Sequence, residues 1–174
     1  MSMIHIMSPH STSSLTNVQP KDIQPNAVDL RVGQIFQIND EKDFTIDEEQ
    51  KIHKGSEPVP LFEDGYWYLY QGAYEIIMEN EIEVGHDECG FVITRSTLNR
   101  NGVFLTSGLY DSGYKGVMAG VIDIRAGRMK IKPGTRVGQY LNFKSQSMGS
   151  YDGDYGTGKE HDRRYATPGI ATVS

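Results

Sequence analysis

Apolar and polar positions alternate with a period of two through much of the middle of this chain, the pattern of strands that are wet on one face. Val28, Leu30 and Val32 alternate with Asp29 and Arg31 up to Gly33, and the pattern continues over residues 34–38. Residues 66–70 (Tyr, Trp, Tyr, Leu, Tyr) predict an aromatic strand, Gln71 and Gly72 a turn, and residues 73–78 the return strand. Glu79, Glu81 and Glu83 then alternate with Asn80, Ile82 and Val84. Residues 91–93, 103–105 and 117–124 predict further strands. Residues 129–132 alternate into a turn at Pro133 and Gly134, and residues 136–143 alternate out of it. Helix signals are scarce; one short candidate spans 95–101, with Thr94 as cap and Gly102 as stop. About ten short strands and one small helix predict an all-β domain, a sandwich or barrel.

The alternation fades at both ends and at one internal stretch. Residues 1–20 are rich in Ser, Thr and other polar groups and are expected to form a disordered polar tail; residues 21–145 are the β domain. Residues 146–174 shift to Ser, Gly, Asp and Tyr and are expected to be a flexible C-terminal tail. Between residues 39 and 57, Asp40, Glu41, Asp43, Asp47, Glu48 and Glu49 crowd together without the spacing of a cation loop, which predicts a solvated loop.

Composition narrows the function classes. The 174 residues fit one domain with a real core. A formal net charge of -6 argues against nucleic acid as a partner and leaves any anionic ligand dependent on a local basic cluster. No apolar run approaches the roughly 18 residues of a membrane helix, and residues 1–14 lack the basic start and apolar centre of a secretory signal. The single cysteine, Cys89, excludes an intrachain disulfide and fits a cytoplasmic setting. His86, Asp87, Glu88 and Cys89 are metal-ligand types, but no second ligand pair follows at zinc-site spacing, so no metal site is predicted.

Three stretches carry candidate chemistry. Arg95 and Arg100 lie around a tight turn with Ser96 and Thr97; guanidinium forks and hydroxyls there form an anion site, with two surface arginines and a cap as the alternative. Asp111 precedes Gly113 and Tyr114. A carboxylate at a strand end can accept a proton from water or a sugar hydroxyl, and Tyr114 can pack on a sugar ring; a turn aspartate with a core tyrosine reads equally well from the pattern. Residues 153–160 nearly spell a P-loop but put Glu160 where the magnesium-binding hydroxyl belongs. What remains is a glycine-rich flap whose amides can close over phosphates.

In this order the motifs resemble the dUTPase and dCTP deaminase superfamily. Residues 23–33 are similar to the deaminase branch's N-terminal signature, and Arg95, Ser96, Thr97 and Leu98 to the shared arginine-serine motif, with Arg100 on a deaminase-branch position. Residues 108–116 resemble the motif with the dUTPase aspartate and sugar-stacking tyrosine, residues 133–139 the fourth shared motif, and residues 151–155 the tail that covers the triphosphate. The resemblance implies a distorted β-barrel or jelly roll of the dUTPase-like type, a homotrimer with active sites between subunits, and Mg²⁺ held chiefly by the triphosphate. It implies Asp111 as the catalytic residue, orienting and deprotonating water or binding the sugar 3′-hydroxyl. It implies nucleotide binding by Arg95, Ser96, Thr97, Arg100, Tyr114, Ala119, Gly120, Val121, Gln139, Tyr151, Tyr155 and Lys159.

The departures bear on the reaction. Deaminases of this superfamily need a glutamate at the position that Val121 occupies here, and valine cannot move a proton. Asp123 lies two residues further along the same strand face. In the tail, Asp154, Gly156 and Gly158 replace a lysine and glutamines of the deaminase branch, with Lys159 as partial compensation. The reading expected is a pyrimidine deoxynucleoside triphosphate diphosphohydrolase, converting dUTP to dUMP and pyrophosphate. The alternatives are a dCTP deaminase, alone or bifunctional, and an inactive nucleotide-binding regulatory protein of the same fold.

Overall fold

The computed structural model describes residues 2–166. Its strands, in chain order, are β1 (Ser2–Ile4), β2 (Ser14–Leu15), β3 (Val28–Ile38), β4 (Thr45–Ile46), β5 (Lys51–Ile52), β6 (Ser56–Pro58) and β7 (Trp67–Leu69). There follow β8 (Gly72–Glu83), β9 (Glu88–Thr94), β10 (Val103–Thr106), β11 (Lys115–Ile124), β12 (Met129–Ile131) and β13 (Arg136–Lys144). A single-turn helix α1 (Ser96–Asn99) links β9 to β10, and 3-10 turns cover Pro20–Asp22 and His161–Ala166.

The strands close on themselves. β13 pairs with both β9 and β3, so the order β13, β9, β10, β11, β8, β3 returns to β13 and makes a six-stranded antiparallel barrel without free edges in the ring. Alternation sends one face of each strand inward. Val28, Leu30 and Val32 of β3 meet Ile76 and Ile82 of β8, Met118 and Ile122 of β11, and Val137 and Tyr140 of β13 in a single buried cluster. Each fully buried aliphatic side chain contributes about 1.5–3 kcal/mol relative to exposure. Register shifts at Val32/Gln34 and at Val117/Ala119 bend β3 and β11, so the barrel is distorted. β7 pairs with β12 beside the barrel, with Trp67 and Leu69 buried and Tyr70 exposed, as a strand with one wet face requires.

Three local expectations differ from what is seen. Residues 2–20, expected as a disordered tail, lie on the barrel. β1 pairs with β13 and β2 with β8, and Ser11, Thr12 and Ser13 all donate to the buried Glu88 carboxylate, including Ser13 Oγ at 2.6 Å and the Thr12 amide at 2.8 Å. Hydroxyl-rich sequence reads as solvated until a buried carboxylate needs donors. Thr94 is not the cap of α1; its hydroxyl donates to Leu105 O (2.8 Å) and accepts from Leu105 N (2.7 Å), stitching β9 to β10. Within residues 39–57 a short hairpin, β4 with β5, turns on Asp47, whose Oδ1 accepts the amides of Glu49 and Gln50 at 2.8 Å.

Candidate functional site

The loop before β11 sets the geometry. Ser112 is buried; it donates to Gly85 O (3.2 Å) and accepts the Asp87 amide (3.2 Å), pinning the turn that begins at Asp111. Gly113 closes that turn at φ +82°, a left-handed conformation that glycine adopts without strain. Asp111 is thereby held exposed at the surface while Tyr114 points inward. The Tyr114 hydroxyl donates to Val117 O at 2.7 Å, and its ring lies 5.3 Å from Tyr110 and 5.2 Å from Tyr151. Burial raises the hydroxyl pKa of both Tyr110 and Tyr114, so they stay neutral donors.

A cavity of about 830 Å³ opens beside this tyrosine. Tyr114, Tyr110, Ala119, Gly120 and Val121 are among its lining residues. Gly120 lets β11 lie close to β10: a Cβ there would lie 2.3 Å from Thr106 O. Tyr151 and Tyr155 of the C-terminal segment close one side, and Ser56, Glu75, Arg164 and Tyr165 form the far end.

The C-terminal segment is packed against the barrel up to residue 166. The amides of Tyr151 and Thr157 donate to Ser112 O (2.7 Å) and Lys115 O (2.8 Å). Within residues 153–160 the glycine amides are partly committed to the protein itself, with Gly156 N donating to Asp162 Oδ2 at 2.7 Å. Asp154 pairs with Lys51 at 2.6 Å, and Lys159 reaches Asp152 at 3.7 Å. Residues 167–174, the remainder of the expected tail, lie outside the described residues.

The arginine motif builds a second polar centre. Leu98 buries α1 against the core, leaving Ser96, Thr97 and Arg100 exposed. Asp29, fully buried on β3, receives Arg95 Nε (3.2 Å), Arg136 Nη1 (3.1 Å) and Gln139 Nε2 (3.1 Å). One buried carboxylate thus fixes two guanidiniums and an amide in a shared orientation, a charge-assisted arrangement suited to oxyanions.

The sequence candidates therefore fall into two groups. Tyr114, Ala119, Gly120, Val121, Tyr151 and Tyr155 line the cavity; Arg95, Ser96, Thr97, Arg100, Gln139, Asp111 and Lys159 do not. Asp123 does not line it either, its Oδ2 accepting from Arg125 Nε at 2.7 Å. The sequence pattern does not single out Ser56, Glu75, Arg164 or Tyr165. The readable signal was Glu75, a lone charge among residues 73–78. Among the described residues no three His, Cys, Asp or Glu side chains converge as a metal cage, and the donor set around Asp29 is guanidinium and amide.

The family model for dCTP deaminase-like proteins matches residues 4–145, most of the chain. The chain belongs to the dUTPase and dCTP deaminase superfamily. One relative in this superfamily, the probable deoxyuridine 5′-triphosphate nucleotidohydrolase of Halobacterium salinarum, is 30% identical over 157 residues, covering 87% of this chain and 91% of that protein. Two superfamily structures share the fold. The 2′-deoxycytidine 5′-triphosphate deaminase of Agrobacterium tumefaciens superposes with a TM-score of 0.56 at 15% identity, over 75% of this chain and 43% of that one. The dUTPase from phage phi11 of S. aureus gives 0.50 at 10% identity, over 84% and 99%. Among the described residues no helix is long and apolar enough to cross a membrane.

Proposed function

We propose that this protein is a dUTP diphosphohydrolase, releasing dUMP and pyrophosphate in the cytoplasm. The observation that carries the reading is Val121. The cavity beside the sugar-stacking tyrosine presents a valine where deamination needs an acid, while a carboxylate, Asp111, stands exposed on the turn leading to that tyrosine. The hydrolase-named relative agrees with this reading over nearly its whole length.

Each group then has a physical role. Tyr114, its ring orientation fixed by the hydroxyl's bond to Val117 O, packs on deoxyribose and disfavours a 2′-hydroxyl. Ala119, Gly120 and Val121 present backbone and small side chains to the base, with Tyr151 and Tyr155 covering the site. Arg95 and Gln139, oriented by Asp29, meet the phosphates with Ser96, Thr97 and Arg100; Lys159 adds charge from the tail. Asp111 orients the attacking water and takes its proton. Catalysis of this kind is positioning and charge stabilisation. Mg²⁺ arrives with the triphosphate as part of the substrate and supplies further neutralisation of its oxygens.

The separation of the arginine motif from the cavity supports sites assembled between copies of the chain, in a homotrimer. Ile93 and Phe104, exposed on β9 and β10, and Leu109, exposed at the cavity lining, give apolar surface for such contacts. Pyrophosphate release from dUTP with Mg²⁺ tests the function. Tight nucleotide binding with no product would instead make this a regulatory nucleotide-binding protein.

A further inference from the structure

The far end of the cavity is built by the turn His161–Ala166, which re-enters the molecule behind the covering tyrosines. Tyr165 anchors it. The ring is buried with Phe36 and Ile77, edge-on to Phe36 at 6.0 Å, and packs against Val117 and Ala119 of the strand that lines the base side of the cavity. Next to this anchor the Arg164 guanidinium is held through its two terminal nitrogens, while its Nε is buried without a hydrogen-bond partner. Nη2 donates to Glu75 Oε1 (2.6 Å) and Tyr165 Oη (2.8 Å) and lies 3.2 Å from His161 Nε2; Nη1 donates to Ser56 Oγ (3.2 Å). Ser56 Oγ in turn donates to Glu75 Oε2 at 2.8 Å, and Tyr165 Oη donates to Glu75 Oε1.

This network divides donors from acceptors unequally. Both oxygens of Glu75 are engaged by the protein, and Asp162 Oδ2 is engaged by the Gly156 amide. The guanidinium has two N–H groups on Nη1, of which Ser56 takes one, and a third of the Arg164 side chain remains exposed in the cavity lining. Across the β8–β11 pair from Glu75, Val121 offers no polar side-chain atom. Beside Glu75 the cavity therefore presents a fixed, charged donor, with both Glu75 oxygens already engaged. A pyrimidine edge carrying a keto oxygen matches it; one carrying an amino group would set donor against donor.

We propose that Arg164, carried into the cavity by the C-terminal turn, is the residue that selects the base, donating to the 4-keto oxygen of a uracil-type ring. Glu75 is its positioning residue. The proposal rests on the nucleotide reading given above and deepens it by assigning the uracil-over-cytosine choice to a side chain.

The test compares kcat/KM for pyrophosphate release from dUTP and from dCTP in the full-length wild type, Arg164→Gln, Glu75→Gln and Glu75→Asp. The Arg164→Gln amide can turn either an N–H or a C=O to the base, so the dUTP to dCTP ratio is expected to fall about tenfold or more. Glu75→Gln lowers the same ratio and Glu75→Asp restores part of it, a readout that a merely structural role would not move. A folded Arg164→Gln protein, with its melting temperature retained, that keeps the wild-type ratio overturns the proposal. If the wild type releases no pyrophosphate from any nucleotide, the hydrolase reading fails by itself. The same variants are then compared by calorimetric binding of non-hydrolysable dUTP and dCTP analogues, where an unchanged preference overturns the role of Arg164.

Discussion

Glu75 of β8 and Val121 of β11 are directly opposed in an antiparallel pair, so their side chains leave the sheet on the same face, about 5 Å apart at Cβ. The carboxylate directly across from Val121 therefore sits one strand away from the position at which the resemblance places the deaminase glutamate. It is also not available there: Arg164, Tyr165 and Ser56 hold it in place. On the proposed reading, the carboxylate across from Val121 is thus engaged and does not serve proton transfer at the base.

Asp111 is the first residue to test. Its turn is pinned through buried Ser112, so exchanging the carboxylate for an amide leaves the local backbone intact. Asp111→Asn is expected to bind dUTP with near wild-type affinity while kcat falls by about 10²–10⁴-fold, the usual contribution of a positioned general base. Steady-state turnover beside calorimetric binding checks this. Unchanged turnover would remove Asp111 from the mechanism.

Assembly of the site from more than one copy has a sharper signature. Arg95→Ala and Asp111→Asn are each expected to be inactive alone. Mixed after dissociation and reassembly, they should regain roughly a quarter of wild-type activity, because a random 1:1 mixture gives that share of sites an intact residue from each donor. No recovery, with mixed oligomers confirmed by native mass measurement, would mean that both residues serve a site within one chain.

How far the sequence could be read depended on what kind of information each element needed. The alternation of Val28, Leu30 and Val32 around Asp29 and Arg31 is a local signal and predicted β3 directly, but the ring closure of β13 onto β3 depends on pairings between residues more than a hundred positions apart. Asp29 shows the limit well. It reads as the wet residue of a strand, yet it is fully buried, because Arg95, Arg136 and Gln139 come from distant segments to satisfy it. The same holds for the Ser11, Thr12 and Ser13 run, which looks solvated until Glu88 is placed beneath it. Tyr114 and the strand 119–121 were legible because their motif is contiguous. Ser56, Glu75 and Arg164 were not, since nothing in the chain's order shows that they meet.

The Glu88 clamp makes acid stability a readout of the fold. Burial alone would raise this carboxyl's pKa, but hydrogen bonds from Lys144, Ser13, Asn142 and the Thr12 amide outweigh it, and the pKa is strongly lowered. A depressed folded-state pKa gives stability that is fully present above the ordinary value of 4.5 and is lost as pH falls below it towards the folded-state value. Glu88→Gln is expected to cost about 2–3 kcal/mol at neutral pH. Its penalty should shrink as pH falls from about 5 to 3. Denaturant melts across that range for both proteins measure the difference. A penalty that stays constant with pH would show that the clamp does not depend on the charge.

The most direct test of the account follows both possible products at once. The full-length protein is incubated with Mg²⁺ and dUTP or dCTP in separate reactions, with pyrophosphate and ammonia measured in parallel. Val121 at the base and Glu75 locked by Arg164 predict pyrophosphate from dUTP and no ammonia from dCTP. Ammonia released from dCTP without pyrophosphate from dUTP would contradict the account.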